Sequence, residues 1–73
     1  MKFKVRSFRH SDGRWESKYI EPKGKVLPGD VVQTRDSYLL RRYFLTKDEA
    51  DQFAAQFLKE RRVKVNEIEI ITD

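Results

Sequence analysis

Tyr43-Phe44-Leu45-Thr46-Lys47-Asp48-Glu49-Ala50 decides the fold, because within it an aromatic, apolar stretch gives way to a helix start. Thr46-Lys47-Asp48-Glu49 has the form of a capping box. The Thr46 hydroxyl is placed to accept from the Glu49 backbone N–H, and the Glu49 side chain to reach back to the Thr46 N–H. Asp48 and Glu49 also stand where the helix dipole favours negative charge. Downstream, Ala50, Phe53, Ala54, Phe57 and Leu58 recur at i, i+3, i+4, i+7 and i+8, which makes one apolar stripe. Asp51, Gln52, Gln56 and Lys59 lie off that stripe, and Lys59, Arg61 and Arg62 suit the carboxyl end. The pattern predicts a helix over 47–61.

Upstream of the box, residues 38–45 read as a strand. A helix is open on local pattern, but Tyr38, Tyr43 and Phe44 favour the extended form. Both faces are partly apolar, so the facing is open. If Phe44 faces the helix, strict alternation turns Arg41 and Tyr43 outward; in the other register Arg42 takes that place.

The amino-terminal part reads as a hairpin. Residues 2–9 alternate, with Phe3 and Val5 on one face and Lys2, Lys4 and Arg6 on the other. The alternation slips at Phe8, where a bulge would restore it. His10-Ser11-Asp12-Gly13 follows, and Asp-Gly is a strong hairpin signal because glycine accepts a positive φ. Residues 14–21 alternate again, with Trp15, Ser17 and Tyr19 opposed to Arg14, Glu16, Lys18 and Ile20.

Two regions complete the chain. Between Pro22 and Ser37, Pro28-Gly29 fits a type II turn, while Val26, Leu27, Val31 and Val32 either dock on the core or form a minor hairpin. Val63, Val65, Ile68 and Ile70 predict a last strand over 63–71, with Glu67 and Glu69 sharing one face. The expected fold class is α+β: a three- to four-stranded antiparallel sheet with one helix packed on one face, in the order β-β-β-α-β. Residues 1–73 are expected to form one small domain.

Composition narrows the function. No cysteine is present, which excludes thiolate metal sites and cysteine nucleophiles, and a lone histidine excludes a multi-histidine site. No cofactor or metal is expected. No apolar run exceeds three residues, against roughly 20 needed to span a bilayer. With no export signal, the expected compartment is the cytoplasm.

Catalysis is poorly supported. His10, Ser11 and Asp12 are neighbours in a tight turn, where side chains diverge, and a triad needs convergence from separate elements. Lys23-Gly24-Lys25 is too short for a phosphate loop. We expect a non-enzymatic protein without a small-molecule substrate.

The net charge of +4 is unevenly spread. Residues 1–25 carry eight basic and three acidic side chains, whereas 63–73 carry one lysine against three acids. If the helix stripe covers Phe3, Val5, Trp15 and Tyr19, the opposite sheet face gathers Lys4, Arg6, Arg14 and Lys18, with Arg41 and Tyr43 added by alternation. Basic side chains on such a sheet can meet phosphates and guanine edges. The plain alternative is a solvated face with Glu16 interspersed, and Tyr43 reads equally as core. Trp15 and Tyr19 read either as buried core or as stacking platforms for single strands or RNA.

These pieces resemble the amino-terminal arm-type DNA-binding domains of tyrosine-family phage and transposon integrases, and the related plant-type AP2 domains. The matching parts are the basic first strand, Asp12-Gly13 leading to Trp15, and the junction from Tyr43 to Ala50, within roughly residues 2–60. The resemblance implies a sheet lying in the major groove of duplex DNA with the helix behind it. Carried over by position, the contacts are Lys4, Arg6, Arg14, Lys18 and Arg41. A second reading is a small interaction or structural protein whose last strand pairs at a sheet edge, either internally or with another copy as a homodimer, or which takes an acidic protein partner. RNA binding is a third.

Overall fold

A computed structural model describes residues 2–21, 32–33 and 37–71. The expected Pro28-Gly29 turn and the docking of Val26, Leu27 and Val31 lie outside the described residues. The elements are β1 (Phe3–Val5), β2 (Phe8–Arg9), β3 (Trp15–Ile20), β4 (Val32–Gln33), β5 (Tyr38–Phe44), α1 (Lys47–Glu60), a 3-10 turn (Val65–Glu67) and β6 (Ile68–Ile70). They form an α+β fold in which one sheet, ordered β4-β5-β3-β1-β6, carries one helix; β2 pairs with β3.

β1 and β2 run as one line against β3. Val5 pairs with Tyr19 and Phe8 with Glu16, and the residue numbers of every couple add to 24. Register therefore continues unbroken past Phe8, which corrects the expected bulge there. Phe3, Val5 and Ser7 are buried, and Phe8 takes the opposite, open side by the same alternation. The hairpin closes through a three-residue loop. The Gly13 N–H donates to His10 O at 2.9 Å, the His10 N–H donates to Arg14 O at 2.8 Å, and Gly13 adopts φ +92. That is a turn followed by a left-handed residue, the position where a side chain would strain the backbone.

The helix begins at Thr46, whose hydroxyl accepts from the Glu49 N–H at 3.2 Å. The return arm differs from expectation: Glu49 Oε1 takes the Thr46 hydroxyl at 3.0 Å, not the backbone N–H. The end is a Schellman arrangement. Arg62 lies at φ 68, its N–H donates to Lys59 O, and the Val63 N–H donates to Leu58 O. Val63 and Leu58 then meet in the core, which turns the chain back toward the sheet.

That reversal corrects two expectations. The last strand is shorter, covering Ile68–Ile70, because the 3-10 turn takes up Val65–Glu67; Glu67 and Glu69 therefore do not share a strand face. The sheet is also mixed, since β6 pairs parallel with β1. The helix carries the chain back over the sheet between β5 and β6, so β6 runs in the direction of β5 and hence of β1. Of the two pairings expected for this strand, internal and with another copy, the structure contains the internal one.

The core lies between α1 and one sheet face: Phe3, Val5, Tyr19, Tyr38, Leu40, Ala54, Leu58 and Val63 are buried, with Phe53 and Phe57 packed against them. Tyr19 is at the centre, stacked on Tyr38 at 5.2 Å and tilted against Phe57 at 5.7 Å. Trp15 is half-buried on this side, opposite Phe44, whose ring meets Phe53 at 5.6 Å.

Asp51, expected on the wet side of the helix, is buried instead. Its Oδ1 accepts from the Ser7 N–H at 3.0 Å and its Oδ2 from Lys47 Nζ at 2.7 Å; the same Nζ donates to Ile71 O. One carboxylate thus satisfies a strand-edge N–H beyond the end of β6 and ties helix to sheet.

Candidate nucleic-acid interface

The sheet face opposite α1 is assembled by register. Ser17 donates to Ala50 O on the helix side, so its neighbours Glu16 and Lys18 point away from the helix. Glu16 is flanked by Tyr43 on β5 and Phe8 on β2. Lys18 is flanked by Leu39 on one side and, through the Arg6 N–H donating to Lys18 O at 3.1 Å, by Arg6 on the other. Lys4 stands between Ile20 and Glu69. Of the six residues singled out in the sequence, five therefore share this face: Lys4, Arg6, Arg14, Lys18 and Tyr43.

The pairing register does not fix the side of Arg41. This residue occupies an irregularity in β5 with φ 58, so the strict alternation that would have turned it outward is interrupted. Its side chain is exposed, and its backbone N–H donates to Glu16 Oε2 at 3.0 Å. A left-handed conformation costs a non-glycine residue about 1–2 kcal/mol, and the charge-assisted bond from Glu16 offsets it.

Glu16 organises the face. It is 3% exposed although no described element packs over it, because Phe8, His10 and Tyr43 close around it. His10 Nε2 lies 2.8 Å from Glu16 Oε1. Both carboxylate oxygens thus have a partner, and the acid lies beneath the surface that the cations line. Glu16 is therefore not among the solvated side chains of this face.

The His10 ring stands edge-on to Phe8 at 5.0 Å and to Tyr43 at 5.4 Å. Phe8 is 48% and Tyr43 44% exposed. Lys18 Nζ lies 5.9 Å from the Phe8 ring centre, and the Arg14 guanidinium 4.6 Å from that of Tyr43. Arg14 is held in place by Asp12, which accepts from its N–H at 3.1 Å and from Nε at 2.8 Å. The backbone bond from Arg14, seconded by its guanidinium, holds the Asp12 carboxyl below the usual carboxylate range. Phe8, His10, Glu16, Lys18, Ser37 and Leu39 line a cleft of about 260 Å³.

Sequence reasoning missed Phe8 and His10 as members of this face, and it placed Glu16 there without foreseeing its burial. The signal was present: continued alternation from Phe3 through Val5 and Ser7 sets Phe8 outward. The two readings of Tyr19 resolve to burial, at 0% exposure, so the exposed aromatics of the sheet are Phe8 and Tyr43. His10 and Asp12 are committed to different partners, Glu16 and Arg14, as turn residues whose side chains diverge.

No protein-family model, curated protein or solved structure matches this chain. No helix among the described residues is long and apolar enough to cross a membrane.

Proposed function

We propose that this protein is a non-catalytic DNA-binding module whose contact surface is the open face of its sheet. One observation carries the reading: Lys4, Arg6, Arg14 and Lys18 share a face whose central acid, Glu16, is buried and paired. Cations at the surface with the opposing charge sunk below it give a positive potential toward an anionic ligand. Glu69 beside Lys4 and Asp12 on Arg14 temper that potential at the rim. The proposal takes up the resemblance to arm-type integrase domains, which implies a sheet lying in the major groove with the helix behind it.

The test is fluorescence anisotropy with a mixed-sequence 16-nucleotide DNA, as duplex and as single strand, at 50 to 200 mM salt. Four phosphate contacts give a log–log salt slope of about −3.6 on duplex, or a loss of roughly 100-fold over that range. Arg6→Ala with Lys18→Ala should weaken binding and shallow the slope by about 1.8. A flat salt dependence, or an unchanged affinity in the double variant, refutes the reading.

A further inference from the structure

We infer that the open face takes single strands in preference to duplex, with unpaired bases stacked on Phe8 and Tyr43. The inference rests on the DNA-binding reading above and adds the strand state of the ligand. Phe8, Glu16 and Tyr43 form one row across β2, β3 and β5. The Cα atoms of Phe8 and Tyr43 stand about two strand spacings apart, roughly 9.6 Å. The His10 contacts of 5.0 and 5.4 Å agree, since they allow no more than 10.4 Å between the ring centres. His10 stands edge-on to both rings, and with Lys18 over Phe8 and Arg14 over Tyr43 each ring still keeps close to half of its surface exposed.

Their exposure is itself informative. Of nine aromatic residues in a 73-residue chain, two lie close to half exposed side by side on the cationic face, where they contribute little to the core. Each ring also has its own cation, Lys18 at Phe8 and Arg14 at Tyr43. A base on the ring and its phosphate on the neighbouring charge is the pairing that single-strand surfaces use. The cleft beside the Phe8 platform adds an apolar wall from Leu39, with Glu16, His10 and Ser37 as its polar lining.

A duplex has no free base faces to stack on these rings. Its base faces are already stacked within the helix, and its major groove displays donor and acceptor edges together with thymine methyls. A phenyl ring reads only the methyl. In a single strand every base has a face to offer, whatever the sequence. The cations serve both ligands; the aromatics discriminate between them.

The experiment compares labelled (dT)16, (rU)16 and a 16-base-pair mixed duplex by anisotropy at one salt concentration, with wild type, Phe8→Ala, Tyr43→Ala, and the aromatic replacements Phe8→Tyr and Tyr43→Phe. Circular dichroism confirms that each variant is folded. The expected result is at least tenfold tighter binding of a single strand than of duplex. Each alanine variant should lose on the order of 5- to 100-fold on the single strand and a smaller factor on duplex, so that the preference for the single strand narrows, and the aromatic replacements should keep wild-type affinity. Binding of (dT)16 at least as tight as that of (rU)16 supports the inference; a clear preference for (rU)16 overturns it together with the DNA-binding reading, in favour of RNA. Equal or tighter duplex binding, or alanine variants that bind single strands as wild type does, overturns it while the DNA-binding reading stands. Absence of binding to all three probes overturns both.

Discussion

Tyr19 is fully buried, yet its hydroxyl has no partner among the described residues. Burial pushes its pKa up to about 12, with the nearby Glu21 carboxylate acting in the same direction. The neutral form is thus favoured in the folded state, and the unfolded chain releases this proton first, near pH 10. The unfolded state then binds fewer protons, so stability falls as pH rises from about 10 to 12. Tyr38, raised chiefly by its bond to Glu21, shares that direction. Tyr19→Phe should therefore stabilise the protein by about 1 kcal/mol at pH 8, by removing an unsatisfied buried hydroxyl. It should also flatten part of the fall between pH 10 and 12. Urea denaturation at pH 8 and 11 checks both; a destabilised variant with an unchanged alkaline slope would contradict this account of the site.

At the scale of elements, α1 ends on an arginine where glycine is the usual occupant. Arg62 at φ 68 closes the Schellman turn that delivers Val63 to Leu58. Glycine avoids the steric cost of that conformation. Arg62→Gly is expected to raise the unfolding free energy by about 0.5–1 kcal/mol, measured by thermal or urea melts. A loss of stability would mean that the arginine side chain contributes more than its backbone conformation costs.

Most of the elements were legible in the chain, since they rest on local chemistry. Thr46 and Glu49 mark the helix start, the Ala50-to-Leu58 stripe marks its buried face, and Asp12-Gly13 marks the hairpin. What local pattern did not supply was long-range compensation. Arg41 takes a left-handed conformation because Glu16, 25 positions away, accepts its N–H. Asp51 is buried because the Ser7 N–H, 44 positions away, needs an acceptor. Phe8 was misread for a different reason: its apolarity suggested a slip toward the core, whereas the unbroken register sets it on the open face. The parallel run of β6 was implicit in the order strand–helix–strand, because a helix that crosses the sheet returns the chain to its original direction.

For the whole molecule, α1 covers one face of the sheet and the register collects the cations on the other. The expected gathering of Lys4, Arg6, Arg14, Lys18 and Tyr43 needed only alternation and pairing, which is why it could be read in advance. The aromatic row and the sunken Glu16 needed the three-dimensional partners. The central claim is that this face, and not the exposed side of the helix, is the working surface. An NMR titration of ¹⁵N-labelled protein with DNA, single-stranded and duplex, tests it most directly. The account predicts shift changes at Lys4, Arg6, Phe8, His10, Arg14, Lys18 and Tyr43 that collapse at high salt, with Asp48, Gln52, Gln56 and Lys59 unmoved. Changes centred on those helix residues, or a spectrum that DNA leaves unaltered, would contradict it.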